Sequence, residues 1–344
     1  MGVTTNLART GFNFQYVPTL RTKSGEVTAL RWVQQQAKDR VVPILQVMPS
    51  VSATFAADMA AAWGGFPAIL DGTAQTTASG SAAAFNSVFG SLGAAGIPVL
   101  PLVEFGGAPI YMAAVLAAQN QFAPGLALRV TLVDLPNAST WAAQHGLNPA
   151  SIDLIIDCGH VAEIDPQLMA PVVTNALQTA ASSLNGWRSL TLSASSAPKD
   201  ASGLPTGTNV FPRRAWRLWS ALAPTFPHLH FGDYGISHRD LSEPPGYAMA
   251  NATVSPRYAV QNDWVLLKGV STRGANGVPM ATQYHGHAQT LSAATYFGGL
   301  LGCWADGQIA QIAARAGVGS SGNRGSWVGF GLNRHVSLVC AQLP

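Results

Sequence analysis

Acids close several of the apolar runs in this sequence. Ala68–Asp71 ends in Asp71, Val99–Phe105 carries Glu104, and Ala127–Val133 is followed by Asp134. Ile152–Asp157 ends in Asp157, and His228–Phe231 runs into Gly232-Asp233-Tyr234. Ser189–Ser193 is followed by Ser195 and Ser196. Carboxylates gathered at one place can move protons, hold Mg²⁺, or work as a pair on a glycosidic bond. Any one of them also reads as a helix cap after a strand. Asp134 fits the cap reading best, because Leu135-Pro136-Asn137 has turn composition. Glu104, Asp157 and Asp233 are therefore the catalytic candidates.

A second set of candidates is cationic. Arg213 and Arg214 open a helix-like stretch, Gly235-Ile236-Ser237-His238-Arg239 follows the last acid, and Arg257 and Lys268 stand farther on. The guanidinium fork suits phosphate and carboxylate. Arg213, Arg214, Arg239, Arg257 and Lys268, with Ser196 and Tyr234, form the candidate binding set for a phosphate-bearing ligand. Residues 210–344 hold ten of the 19 Lys and Arg but five of the 16 Asp and Glu. Ion pairs scattered over a solvated face would give the same count. A histidine can exchange a proton near neutral pH, so His335 is the candidate proton donor; plain polar surface is the alternative. His228 and His230, with Asp233, allow a metal reading, but they stand at the start of their run. His285 and His287, near a helix start, read equally as structural. There is no GxxxxGK[ST], GxSxG or HExxH. The cofactor stays unassigned, with Mg²⁺ the ion the acids would suit.

The elements that must position these residues alternate. Strand-like runs at Phe14–Pro18, Val41–Val47, Ala68–Asp71, Val99–Phe105, Ala127–Val133, Ile152–Asp157, Ser189–Ser193 and His228–Phe231 are separated by Ala-rich stretches of helical period. Eight such units predict an α/β fold with a parallel sheet covered by helices. The count, with no GxGxxG turn after the first strand-like run, favours a closed (β/α)₈ TIM-type barrel. In that architecture the working residues lie at the C-terminal ends of the strands, and phosphate is often held after strands seven and eight. The eighth helix is expected at about Thr282–Leu301. Before it lies a β-like insertion at 244–269, with strands at Tyr247–Val254, Arg257–Val260 and Trp264–Val270. A C-terminal extension, 305–344, is expected to hold a helix at Gln308–Ala316, then Trp327–Phe330 and a last strand at Val336–Ala341. No low-complexity linker divides the chain, so residues 1–344 read as one domain.

Composition removes whole classes. The chain has 344 residues, 48% hydrophobic and only 10% charged, where a soluble chain usually has about 25%. That excludes a disordered tail, a coiled coil and a supercharged nucleic-acid arm. Gly and Pro lack any repeat period, which excludes collagen and solenoids. Cys158, Cys303 and Cys340 form neither a disulfide framework nor zinc spacing. No stretch reaches the ~18 apolar residues of a membrane span. MGVTTNLARTGFNFQ has no signal-peptide core. The expected location is the cytoplasm of a bacterial host cell, with no membrane partner.

Short motifs in a fixed order then carry a resemblance. They are Tyr16-Val17-Pro18 with Gly25-Glu26, Pro43-Ile44-Leu45, Ile155-Ile156-Asp157-Cys158-Gly159 and Phe211-Pro212-Arg213-Arg214. Phe231-Gly232-Asp233-Tyr234, Pro256-Arg257-Tyr258, Trp264 with Lys268-Gly269, and Trp327 with Asn333-Arg334-His335 follow. From about residue 14 to residue 340 the chain resembles the phage and prophage beta-protein family. The resemblance implies a barrel of this class and a setting in phages and mobile elements, but no particular reaction. The chain departs from the family pattern after Arg214, where Ala215-Trp216-Arg217 replaces an expected acid.

Two functions are expected from these readings. One is an enzyme acting on a nucleotide or nucleic acid in phage–bacterium conflict, with Glu104, Asp157 and Asp233 as acid/base groups and Arg side chains neutralising phosphate. A glycosidase would want aromatic platforms, for which Trp216, Trp219, Trp264, Trp304 and Trp327 are available, although helical spacing makes Trp216 and Trp219 core. The other is a non-catalytic protein that binds a host or phage protein or sequesters a nucleotide signal. Its contact surface would be the 244–269 insertion, with Arg257, Tyr258 and Trp264 as anchors.

Overall fold

Eight short strands with apolar residues on both faces can be buried only in a sheet covered on both sides. The computed structural model of the chain describes residues 14–240, 253–300 and 302–344, which form two compact units. The first unit holds residues 14–23, 35–196 and 214–234. Its strands are β1 (Tyr16–Arg21), β2 (Ile44–Gln46), β3 (Ala68–Asp71), β4 (Val99–Glu104), β5 (Leu126–Thr131), β6 (Ile152–His160), β7 (Ser189–Ser195) and, after an excursion containing β8, β9 (Leu229–Asp233). They close in sequence order, every pair parallel, with β9 returning to β1. The TIM-type barrel read from the alternation is the observed fold.

Alternation along each strand sorts side chains into two layers. Val17, Ile44, Ile69, Leu100, Leu102, Ala127 and Ile155 fill the barrel interior together with Phe14, Val42 and Ala123. Two residues farther along the same strands, on the same inner side, come Gln46, Asp71, Glu104, Arg129 and Asp157; Arg21 follows Val17 by four. Residues on the opposite face of the strands meet the helices. Phe231 stacks on Tyr16 with centroids 5.5 Å apart and meets Trp216 of α10 (Arg214–Leu222) edge-on at 5.2 Å. Trp216 and Trp219 are core, as their spacing predicts.

Near the strand starts a buried ion pair ties β6 to β7. Arg188 donates to both oxygens of Asp153 at 2.9 and 2.5 Å, and Ser189 Oγ donates to Oδ1 at 2.6 Å. Arg188 also reaches the carbonyl of Pro124. Gly125, at φ +93°, allows that approach, since a Cβ there would lie 1.9 Å from the Ser151 carbonyl oxygen.

The second unit comprises residues 24–34, 197–213, 235–240 and the described residues from 253 onward. Its sheet is antiparallel, ordered β10 (Arg257–Val260), β11 (Asp263–Lys268), β8 (Gly207–Pro212). The helices are α1 (Ser24–Arg31), α11 (Met280–Ser292), α12 (Trp304–Ala313) and α13 (Arg324–Gln342). Tyr258, Val265, Leu267, Tyr284, Leu291, Ile309, Trp327 and Phe330 build its core.

Three expectations change here. Trp327–Phe330 and Val336–Ala341 are not strands but parts of α13. Trp327, Phe330, Val336, Val339 and Cys340 are buried at helical spacing, and Asn323 Oδ1 caps the start by accepting from Ser326 N at 3.0 Å. Strand β8 lies in a stretch read as a polar loop; its exposure alternates because it is an edge strand, whereas the central β11 is buried on both faces from Trp264 to Leu267. Tyr258 and Trp264, expected as interface anchors, are 1% and 3% exposed and belong to the core. The strand expected at Tyr247–Val254 falls largely outside the described residues.

Candidate functional site

Burying an arginine inside a barrel is costly unless acids surround it. Arg129, on the inner face of β5, meets two. Its Nη2 donates to Asp71 Oδ2 at 2.7 Å, and Nε and Nη2 donate to Glu104 Oε1 at 2.9 and 2.6 Å. Burial opposes the charge on Arg129. Asp71, Tyr234, Glu104 and Asp157 outweigh that penalty and hold its pKa well above the ordinary arginine value. These five side chains from β3, β4, β5, β6 and the end of β9 therefore form one electrostatic cluster at the C-terminal ends of the strands.

Each acid has a distinct attachment. Asp71 is fully buried, and its Oδ1 accepts from Thr73 N at 2.9 Å, so it caps the following turn while it holds Arg129. Asp157 accepts from Tyr234 Oη at 2.9 Å and from Gly159 N at 2.8 Å. Glu104 keeps 39% of its side chain exposed, and among the described residues no hydrogen bond reaches its Oε2. Tyr111 pins the β3 turn: its hydroxyl accepts from Gly72 N at 2.7 Å and donates to the Leu102 carbonyl at 2.8 Å. Burial first, then Asp71, raises the Tyr111 pKa well above the usual phenol range. Burial and then Asp157 push the Cys158 thiol up to about 12, which disfavours the thiolate.

Two polar atoms near this cluster are buried without hydrogen-bond partners: Arg21 Nε and Gln46 Oε1. Arg21 lies opposite Gln46, and Gln46 opposite Asp71, in the strand register. They make a polar corner at the ends of β1, β2 and β3. A cleft of about 310 Å³ opens beside Glu104, between α6 (Pro109–Ala118) and α7 (Ala138–Gln144).

The candidates from sequence divide. Glu104, Asp157 and Tyr234 come together in the cluster, and Ser196 is buried just past β7. Asp233 faces the other way: it alternates with Gly232 and Tyr234, and its Oδ1 accepts from Tyr16 Oη at 2.8 Å on the helix side of the sheet. The reading of Asp233 as an inner-rim acid is corrected by this alternation. Arg214 opens α10, half-buried in the first unit. The remaining candidates belong to the second unit. Arg213 is 1% exposed and donates to the Gln261 carbonyl and Gln342 Oε1, both at 2.9 Å. Arg257 ties the carbonyls of Ile236 and Lys199, Lys268 donates to the Leu204 carbonyl at 2.6 Å, and Arg239 is exposed. His335 is not a proton donor open to solvent: it is wholly buried on α13, with its ring 4.7 Å from Trp264.

His228 precedes β9 and is exposed, whereas His230 packs edge-on against Phe14 at 4.8 Å. Burial holds the His230 pKa down at about 4. Among the described residues no group of three His, Cys, Asp or Glu side chains is arranged to hold a metal ion.

Sequence reasoning missed Arg129, Arg21 and Gln46. The available signal was an arginine inside the apolar run Leu126–Thr131 and another closing Tyr16–Arg21. The family model described as Beta protein matches residues 16–341. No curated protein matches the chain.

Proposed function

The chain belongs to the Beta protein family, and from that premise we propose that its barrel mouth binds a small phosphate-bearing molecule, a nucleotide or nucleic-acid end, and transfers a proton through Asp157 during its hydrolysis. The observation that carries the reading is the Arg129-centred cluster on the inner face at the C-terminal strand ends, the place where such barrels work. Arg129 is matched by Asp71 and Glu104, so its role is to fix those acids. Arg21, at the end of β1, supplies the cation suited to the anion. Asp157, oriented by Tyr234 and Gly159, is the base that would take a proton from an attacking water. We place this activity in phage–bacterium conflict.

A thermal-shift screen of nucleotides, sugar phosphates and short DNA and RNA, each with and without Mg²⁺, tests the reading. A ligand at 100 times its Kd adds about 2.7 kcal/mol. Arg21→Gln should erase the phosphate-dependent shift, while Asp157→Asn should keep the shift and lose turnover. A shift that both variants preserve, with turnover intact, would remove the mouth from the mechanism.

One observation favours a second, non-catalytic reading. Leu168 and Val172, four residues apart in the first half of α8 (Pro166–Thr179), are 74% and 60% exposed, and Ile164 in the preceding bend is 41% exposed. An apolar stripe of this kind suits a protein partner. Leu168→Glu with Val172→Glu would abolish such capture while leaving ligand-induced shifts unchanged.

A further inference from the structure

We propose that the cleft beside Glu104 is a subsite for a nucleobase, a flat ring that presents N–H donors at its edge. This inference rests on the mouth being the ligand site and names the part of the ligand that lies outside the polar corner.

The cleft holds about 310 Å³, at the small end of the ~300–1,000 Å³ typical of ligand pockets. That is room for one ring system. Its walls are mostly apolar, with Pro109, Met112 and Leu116 of α6 and Trp141 of α7, and His145 joins the lining beside Trp141. The indole is held in place, with the Phe105 ring 6.1 Å away and the His145 ring 4.3 Å away, and His145 Nδ1 lies 2.8 Å from the Trp141 carbonyl oxygen. A fixed indole is a stacking face, and stacking is open to any base.

The polar end decides which rings fit. Glu104 lines the cleft, and Arg129 fixes its carboxylate through Oε1 alone. An ionised carboxylate only accepts hydrogen bonds. Rings with an exocyclic amino group, as in guanine, adenine and cytosine, can donate to it. Uracil sets its one N–H between two carbonyl oxygens, which the carboxylate repels. Glu104 thus joins the apolar cleft to the charged cluster, so a base seated here would place the rest of a nucleotide toward the mouth.

The test uses the full chain and nucleosides without phosphate, read by saturation-transfer NMR and calorimetry, with ribose 5-phosphate as the separate probe of the mouth. Guanosine, adenosine and cytidine should bind, and uridine about tenfold more weakly or worse. Trp141→Ala should weaken nucleoside binding about tenfold, the scale of losing one base–aromatic stack. Glu104→Gln should level the preference between amino-bearing bases and uridine. Glu104 also anchors Arg129, so Ala113→Phe, which fills the cleft from an exposed face of α6, gives an independent arm. It should abolish nucleoside binding and leave the ribose 5-phosphate response intact. Nucleoside binding that survives both Trp141→Ala and Ala113→Phe overturns the proposal. A wild-type response to ribose 5-phosphate but to no nucleoside overturns the cleft alone. No response to either class overturns the mouth reading together with it.

Discussion

Arg129 and its acids set what single substitutions do. Replacing Arg129 by Met leaves the fully buried Asp71 carboxylate as an uncompensated charge, and breaking a buried pair from one side costs about 3–5 kcal/mol. Adding Asp71→Asn to Arg129→Met should recover a large part of that loss. Urea unfolding of the two single variants and the double variant measures the coupling, and strictly additive losses would contradict the pair. Tyr234→Phe removes one hydrogen bond to the Asp157 carboxylate and should cost about 1.5–3 kcal/mol in the same measurement. At this scale Glu104 and Asp157 were legible, because an acid closing a buried run has few reasons to be there. Arg129 was not, because the run was read by its ends and the charge lay within it. Asp233 was assigned to the inner rim because an acid at a strand end was counted without its face. The neighbouring Tyr234 shows that one residue of alternation reverses the answer.

Among elements, all eight parallel strands were legible, with ends within three residues of the observed ones, since buried strands in such a sheet are continuous apolar runs. The last element was not. Val336–Ala341 alone reads as a strand, and only its continuation back through Phe330 and Trp327 reveals the helical period of α13. Two predictions belong here. His230, on the inner side of β9, has its pKa held down at about 4 by burial, against about 6.5 when unfolded. Above pH 6.5 both states are neutral. Below it the unfolded chain takes up a proton and the folded chain does not, so stability falls until about pH 4, by on the order of 3 kcal/mol. Urea titrations across this window should show a flatter decline for His230→Phe than for the wild type; parallel declines would contradict the buried neutral imidazole. At the junction before β5, Gly125→Ala meets both a positive φ and the Ser151 carbonyl. It should lower stability by at least ~1 kcal/mol, read as a drop in Tm.

For the molecule as a whole, each unit has its own core, and no described helix is long and apolar enough to cross a membrane. The basic lean of residues 210–344 pointed toward Arg213, Arg257 and Lys268 as ligand contacts. In the folded chain these cations tie backbone carbonyls within the second unit. Net charge gives no positions, which is why the total was visible in the sequence and its use was not. The proposed anion-facing role passes to Arg21, one arginine that the count could not single out. The most direct measurement is hydrogen–deuterium exchange of the full chain with and without saturating guanosine 5′-monophosphate. The account predicts new protection at the C-terminal strand ends and their turns, around residues 46–48, 71–73, 104–107, 129–131 and 157–160, and around Trp141. Protection confined to 164–172 or to residues 257–342 would contradict a ligand site at the barrel mouth.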